Sequence, residues 1–157
     1  MVDSRAATAA DLTVRLARLD ECALLGEFNA QLIRDERHEN AMGAAELGER
    51  MREWLAGEYR ACLFDTKAGP TGYALFRDLP ECVHLRHFFV VPECRGIGLG
   101  RRAFHRLRAE FFPADKRVLV EVLAWNASAL AFWKSLGFGE RYLGLQLPAA
   151  SEPSTTT

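Results

Sequence analysis

The chain has 157 residues, enough for one compact domain with a core of its own and too few for two ordinary domains. Hydrophobic residues make up 49% and charged residues 26%, and no apolar run approaches the ~20 residues that a membrane span needs. The net charge of −1 gives no reason to expect a nucleic-acid partner or a membrane partner, and the polar N-terminus lacks the apolar stretch of a signal peptide.

The cysteines and histidines give no metal or redox pattern. The four cysteines stand at positions 22, 62, 82 and 94, too far apart for a Cys-x-x-Cys motif. The four histidines show no paired metal-ligand spacing. We therefore expect free thiols in a reducing compartment, a cytoplasmic protein and no metal cofactor.

The first half of the chain predicts a strand, two helices and a β-hairpin after a flexible N-terminus at 1–10. Apolar and polar residues alternate in the strands, whereas apolar residues recur at three- and four-residue steps in the helices. In chain order these elements lie at 12–17, 20–38, 47–55, 59–64 and 72–77, and a turn at 67–70 closes the hairpin.

The second half predicts a strand over 82–91 that is apolar on both faces at its end, which is typical of a central strand. A helix, a strand, a helix capped by Gly137 and a last strand follow at 98–112, 117–123, 127–136 and 142–147. The order β-α-α-β-β-β-α-β-α-β predicts an α/β (α+β) fold with a mixed sheet, one domain over 11–148 and a disordered tail at 149–157.

The most informative stretch is Val90-Val91-Pro92-Glu93-Cys94-Arg95-Gly96-Ile97-Gly98-Leu99-Gly100-Arg101, where a buried strand enters a glycine-rich turn that opens a helix. Glycines admit positive φ and let a ligand approach the backbone, and a helix N-terminus offers free N–H groups to a phosphate. A Walker loop would need Gly-Lys-Ser/Thr where Leu99-Gly100-Arg101 stands. A dinucleotide fingerprint would need glycine in place of Arg101 or Ala103.

A third plan for phosphate binding fits the turn. Arg95-x-x-Gly98-x-Gly100, after a strand that ends Val-x-Pro, resembles the acetyl-CoA motif of the GNAT superfamily of N-acetyltransferases. The segment from Trp125 to Phe138 is similar to the Asn-x-x-Ala…Gly-Phe helix of the same superfamily. The resemblance covers roughly 12–147. It implies a mostly antiparallel sheet flanked by about four helices, and an enzyme that transfers an acetyl group from acetyl-CoA to a primary amine by direct attack.

The resemblance also assigns residues to the cofactor. The backbone at the end of the strand predicted over 82–91 would bind the pantetheine arm and the thioester carbonyl. The N–H groups of the turn and an arginine at the helix start would hold the pyrophosphate, and an asparagine and a tryptophan would lie along the cofactor. The residues so implied are Val90, Val91, Arg95, Gly96, Ile97, Gly98, Leu99, Gly100, Arg101, Asn126 and Trp133. Independently, the arginines within 95–108, with no acid among them, suit a cofactor that carries roughly four negative charges.

A base is expected because an amine with a pKa near ~10.4 is protonated at pH 7, and freeing it costs about 4–5 kcal/mol. His84 resembles the position where several GNAT enzymes place a glutamate or histidine base, and histidine suits this task. His87 is a second candidate, and strand alternation places it on the opposite face from His84. Glu81 and Glu121 are weaker candidates.

The source of the proton for the leaving thiolate is open. The superfamily usually uses a tyrosine, and the matching position here is Trp133, whose indole does not titrate usefully. Tyr142 or water would take this role. A CoA thiolate, with a thiol pKa near ~8.5 by analogy with cysteine, leaves without much help.

The acceptor is expected between the first two helices and the hairpin, where Asn29, Gln31, Asp35 and Glu36 are the polar side chains. Asp35 and Glu36 would pair with a substrate cation, so a small cationic amine is the predicted acceptor. A protein N-terminal or lysine acetyltransferase and a catalytically weak acyl-CoA sensor remain alternatives. The chain end is short, and a second subunit could close an open sheet edge, so a homodimer is one expectation.

Overall fold

A computed structural model describes residues 11–150, and the predicted flexible N-terminus at 1–10 and the residues 151–157 of the predicted tail lie outside that range. Within it the chain forms five strands and four α-helices. In chain order they are β1 Thr13–Leu16, α1 Cys22–Asp35, α2 Ala44–Ala56, β2 Tyr59–Thr66, β3 Gly69–Asp78, β4 Cys82–Val90, α3 Leu99–Phe111, β5 Arg117–Val120 and α4 Ala127–Ser135. The predicted element order is confirmed as far as α4.

The five strands form one sheet in the order β1-β2-β3-β4-β5. Neighbours are antiparallel except β4 and β5, which run parallel, so the mixed and mostly antiparallel sheet is confirmed. The parallel pairing extends only from Cys82↔Arg117 to Leu85↔Val120. Beyond Leu85, β4 therefore continues without β5 beside it, and this gap positions the candidate site.

Aromatic side chains attach helices to both faces of the sheet. Phe28 of α1 stacks on Tyr73 and contacts Phe89, with ring centroids 6.1 and 5.4 Å away. On the other face, Phe88 packs against Phe104 of α3 and Phe64 of β2. These rings lie in the hydrophobic core that anchors β4 as a central strand.

The chain divides into two compact units by its contacts, the first ending at Asn126 and the second beginning at Ala127. The second unit contains α4, whose buried Trp133 contacts the rings of Phe132 and Phe138. Gly137 has φ +96° directly after this helix, and the N–H of Phe138 donates to the carbonyl of Trp133 at 3.1 Å. The predicted glycine C-cap is confirmed.

The strand predicted over 142–147 is not formed, because residues 138–149 have no regular secondary structure. The apolar side chains of this segment are 76–94% exposed: Tyr142, Leu143, Leu145 and Leu147. Alternation of apolar and polar residues is not enough to form a strand, because the N–H and C=O groups of a strand need a neighbouring strand as hydrogen-bond partner. The backbone freedom of Gly144 further weakens an unpaired strand.

None of the helices in residues 11–150 is long and apolar enough to cross a bilayer.

Candidate active site

A glycine turn connects the end of β4 to α3. Gly96 and Gly98 have φ of +80° and +79°, and Gly98 is the residue that precedes the first turn of α3. A Cβ at either glycine would meet no atom within 4 Å, so the space above both residues is open to a ligand. The first N–H groups of a helix have no internal partner and carry partial positive charge. This open turn therefore fits the pyrophosphate of a CoA cofactor.

Arg95 ties the turn to the end of β4 and to α1. Its Nε donates to the carbonyl of Val90 at 2.8 Å, and its guanidinium carbon lies 5.6 Å from the centre of the Phe89 ring. Its Nη2 donates to Asp35 at 2.6 Å. Arg95 and Asp35, predicted for cofactor and acceptor respectively, thus bind each other.

The backbone of β3 lies close against β4 beside this turn. A Cβ at Gly72 would lie 2.1 Å from the carbonyl oxygen of Phe89, and the N–H of Val91 donates to Thr71 at 2.8 Å. The hydroxyl of buried Thr71 donates to the carbonyl of Phe64. With β3 held on one side and β5 absent on the other, the free edge of β4 near Val90 faces the gap.

A β-bulge places both candidate histidines on one face. Arg77 pairs with His84 and Leu75 with His87, and the register shifts between them because Arg86 has no partner residue on β3. The prediction that His87 faces away from His84 is therefore wrong, since one extra residue reverses the alternation. Both side chains lie on the face covered by α1 and α2.

His84 lies at the point where β5 leaves β4. Its side chain is 15% exposed, and its Nε2 is 3.4 Å from a carboxylate oxygen of Glu121, which follows β5. Burial lowers the pKa of His84, and Glu121 opposes this shift. The imidazole is therefore neutral near pH 7 and able to accept a proton. Glu81, by contrast, is 86% exposed and lies 4.0 Å from Arg117.

His87 is placed in a different environment. Its Nδ1 lies 3.0 Å from the hydroxyl of Tyr73, and the edge of its ring meets Trp54. Burial, reinforced by Arg86 and Arg50, lowers the pKa of His87 to about 3, and burial raises the pKa of Tyr73 well above its usual value. His87 is thus a neutral hydrogen-bonding group and a weak base.

Two arginines and two aromatic rings lie beside His87 and were missed from the sequence. Arg50 and Arg86 both lie over the ring of Trp54, at 4.4 and 4.8 Å from its centre. Arg86 also donates to the hydroxyl of Tyr59 at 3.2 Å. Two signals were available: the four-residue spacing of Arg50 and Trp54 on α2, and the alternation that puts Arg86 on the same face of the strand as His84.

The other predicted acceptor residues cluster near the end of α1. Gln31 donates to Asp35 at 2.7 Å, and the carbonyl of Glu36 accepts from the indole of Trp125 at 3.0 Å. Burial raises the pKa of Glu36. Asn29 is 1% exposed, and neither amide atom has a hydrogen-bond partner within the described residues.

The positions of the remaining predicted residues do not test their roles. Ile97 and Arg101 are exposed, Leu99 is buried at the start of α3, and the N–H of Asn126 donates to Leu123 at 2.9 Å. Tyr142 is 76% exposed and belongs to the second unit, as Trp133 does. Residues 11–150 hold no group of three or more metal-ligating side chains.

Three features occur together here: β4 separates from its parallel neighbour β5, a glycine turn follows β4, and the N-terminus of α3 follows the turn. This combination is typical of acyltransferases that use acyl-CoA. The chain belongs to the Acetyltransferase (GNAT) family, whose family model matches residues 27–138.

Individual relatives agree with this assignment. The chain is 29% identical over 140 residues to the L-amino acid N-acyltransferase MnaT of Escherichia coli (strain K12), covering 81% of this chain and 79% of that protein. It resembles the structure of a possible acetyltransferase from Clostridium difficile 630, with a TM-score of 0.71, 15% identity and coverage of 90% and 99% of the two chains. The aminoglycoside N-acetyltransferase AAC(6')-Iy in complex with CoA gives a TM-score of 0.69 and 14% identity, with coverage of 88% and 95%. At these identities the structural likenesses show the fold alone.

Proposed function

We propose that the protein is an N-acetyltransferase that moves the acetyl group of acetyl-CoA to the primary amine of a small molecule by direct attack. The observation that carries this proposal is the gap beside β4. The open glycine turn at Gly96 and Gly98 bounds it at one end, and His84 with Glu121 bounds it at the other.

The cofactor would lie along the free edge of β4. Backbone groups of Val90 and Val91 would bind the pantetheine arm, and the N–H groups from Arg95 to Gly100, with Arg101, would bind the pyrophosphate. Asn126 would line the pantetheine. When bound, acetyl-CoA supplies the thioester carbonyl that the amine attacks.

His84 would accept the proton of the attacking amine, directly or through one water. Its low pKa keeps the imidazole unprotonated, and Glu121 orients the ring through Nε2. For the leaving thiolate, water is favoured over Tyr142, whose hydroxyl lies on a side chain that is 76% exposed. The amine must arrive neutral or lose its proton to His84 before it attacks.

The test compares Gly98→Glu with Gly98→Gln, which impose the same bulk and the same strain at positive φ but differ in charge. We expect acetyl-CoA to bind the Glu variant at least ~10-fold more weakly than the Gln variant, with the difference shrinking at high salt. Calorimetry gives both affinities. Equal affinities of the two folded variants would exclude this turn as the pyrophosphate site.

Turnover is measured as acetyl-CoA consumption with small amines, amino acids, polyamines, aminoglycosides and peptides. Transfer to a small amine supports the proposal. Transfer to peptides alone identifies a protein acetyltransferase instead. Tight acetyl-CoA binding without transfer to any acceptor identifies an acyl-CoA sensor.

A further inference from the structure

We propose that the acceptor carries a carboxylate, and that Arg50 and Arg86 bind this carboxylate on the Trp54 ring while the amine points toward His84. This inference rests on the proposed acetyltransferase function and names the substrate class of the same site. It replaces the small cationic amine predicted from Asp35 and Glu36 with an amino-acid-like acceptor.

The cluster of Arg50, Trp54, Tyr59 and Arg86, here called the arginine–tryptophan cluster, is held in place from two elements. α2 supplies Arg50 and Trp54 one turn apart, so both project from the same side of the helix. β4 supplies Arg86 from the bulge, and the Tyr59 hydroxyl accepts its hydrogen bond at 3.2 Å. Trp54 is itself packed against Tyr59 and His87, with ring centroids 5.5 and 5.6 Å away. The two guanidinium groups are therefore fixed before any ligand arrives.

The cluster has an excess of positive charge. Within residues 11–150, neither Arg50 nor Arg86 makes an ion pair, and the Nε of Arg50 is buried without a hydrogen-bond partner. Burial and the nearby charge of Arg86 both lower the pKa of Arg50. The nearby acid is Glu36, whose charge contributes to the raised pKa of Tyr73. Burial raises the pKa of Glu36 itself and so favours its neutral, protonated form. A guanidinium with a buried, unsatisfied N–H is costly, and a planar carboxylate supplies the missing acceptors.

Of the two acids predicted to bind a cation, Asp35 is engaged elsewhere. Asp35 is paired with Arg95 at 2.6 Å and accepts from Gln31 at 2.7 Å. A cationic group placed beside Arg50 and Arg86 would be repelled, since like charges at short range raise the free energy of binding. The site therefore selects against polyamines and for acceptors with an anionic group.

The cluster lies within one small molecule of the candidate base. Arg86 follows His84 by two residues on β4, a distance of about 7 Å along a strand, and alternation places both side chains on the same face, where Arg86 contacts Trp54. The two arginines also favour the neutral form of an amine bound next to them. The same groups that hold the carboxylate thus help to release the proton that His84 accepts.

The first experiment compares three acceptors of one skeleton: an L-amino acid, its carboxamide and the corresponding amine without the carboxyl group. We expect kcat/KM to be at least about 10-fold higher for the amino acid, mainly through KM. Equal kcat/KM for all three, or preference for the amine without a carboxyl group, would overturn the proposal.

The second experiment replaces the arginines. Arg86→Gln and Arg50→Gln are expected to lower kcat/KM for the amino acid by about 10- to 100-fold, much more than for the carboxamide, and to leave acetyl-CoA affinity nearly unchanged. Arg86→Lys keeps the charge but not the planar fork and should recover part of the loss. Arg52→Gln is the matched control, because Arg52 is an exposed arginine of the same helix that lines the cleft near Cys22 and Gly48. Equal losses with all three acceptors would mean that the arginines serve stability alone.

A binding measurement separates this inference from the acetyltransferase function. Tryptophan fluorescence is titrated with the amino acid and with its carboxamide in the presence of CoA. Saturable binding of the amino acid that weakens in Arg86→Gln supports a carboxylate site even if no transfer occurs, in which case the proposed function alone fails. Equal binding of both compounds, or no binding of the amino acid to an enzyme that acetylates other amines, refutes the carboxylate site.

Discussion

At the residue scale, two histidines on one strand face the same side of the sheet but receive different surroundings. His87 lies under Trp54, shares a hydrogen bond with Tyr73 and has a pKa near 3. His84 keeps a carboxylate neighbour at 3.4 Å and lies at the edge of the gap. A base with a pKa near 3 accepts a proton poorly, so we expect His84 rather than His87 to be the base, with His87 as a hydrogen-bonding group.

His84→Gln keeps size and polarity but removes the titration. We expect kcat/KM to fall by about 10²-fold while acetyl-CoA affinity is unchanged, and the residual activity to grow at high pH, where the amine is free. Burial lowers the pKa of His84, so the acidic limb of wild-type kcat/KM lies below about 6.5. His105→Gln, on the exposed side of α3, is the matched control. A His84→Gln variant with the wild-type rate and acidic limb would make His84 a structural residue.

Glu121→Gln tests the neighbour of the base. Glu121 raises the pKa of His84 against the larger effect of burial, so its neutralisation should move the acidic limb to still lower pH. The pH dependence of kcat/KM measures the shift. A limb that moves upward would mean that another group governs it.

At the element scale, periodicity predicted nearly every helix and strand, because each amphipathic segment buries a face that its own spacing defines. It failed at the β-bulge of Arg86, where one extra residue reverses the face of His87 without changing the pattern of residues around it. It also failed over 142–147, where alternation is present but no strand partner is. The glycine turn was predicted because its residues are contiguous. The arginine–tryptophan cluster was not, because a helix and a distant strand supply it.

Gly72→Ala tests the close approach of β3 and β4. A Cβ at Gly72 would lie 2.1 Å from a backbone oxygen of Phe89, which has no room to yield, so we expect a loss of about 1–3 kcal/mol in the free energy of unfolding. Acetyl-CoA affinity should fall as well, because a shift of Phe89 would also move Val90, the next residue of β4. Urea unfolding measures the loss. Gly43→Ala, where a Cβ meets nothing within 4 Å, should be nearly neutral. Equal stabilities of the two variants would contradict the register at Gly72.

Glu21→Gln tests the ion-pair network that joins β1 to its neighbours. Arg15 donates to Glu21 at 2.7 Å and to Asp65 at 2.5 Å, and its hydrogen bond lowers the pKa of Glu21 to about 2. A depressed carboxyl pKa stabilises the folded state above the unfolded value of 4.5, and the contribution disappears as the pH falls toward 2.

The Glu21→Gln variant should therefore lose about 1–2 kcal/mol at pH 7, discounted because Arg15 is one-third exposed, and should approach wild-type stability as the pH falls to about 2. Urea unfolding across this pH range is the measurement. Asp20→Asn, which breaks an exposed pair with Arg18, is the control and should have little effect. A deficit that is constant with pH would show that packing, not charge, is responsible.

At the scale of the whole molecule, the ion pair of Asp35 and Arg95 joins α1 to the glycine turn. The sequence predicts these two residues as binding groups for two different ligands, and in the structure they also hold two elements together. The charges that we propose to bind the acceptor are those of Arg50 on α2 and Arg86 on β4. The charge composition of a segment does not identify such a pair, because two uncompensated charges act locally whatever the average of their surroundings.

The segment 142–147 bears on the assembly of the molecule. Four of its apolar side chains are 76–94% exposed within six residues, and its backbone has no strand neighbour in the described chain. We expect a second copy of the chain to cover it, so the wild-type protein should sediment as a dimer. Replacing Leu143, Leu145 and Leu147 together by serine should shift it to a monomer with unchanged helix content. Leu19→Ser, an exposed leucine at 51% outside this segment, should leave the dimer intact. Sedimentation velocity over a concentration series measures the oligomeric state. A wild-type chain that stays monomeric at every concentration would show that residues 142–147 do not mediate self-association.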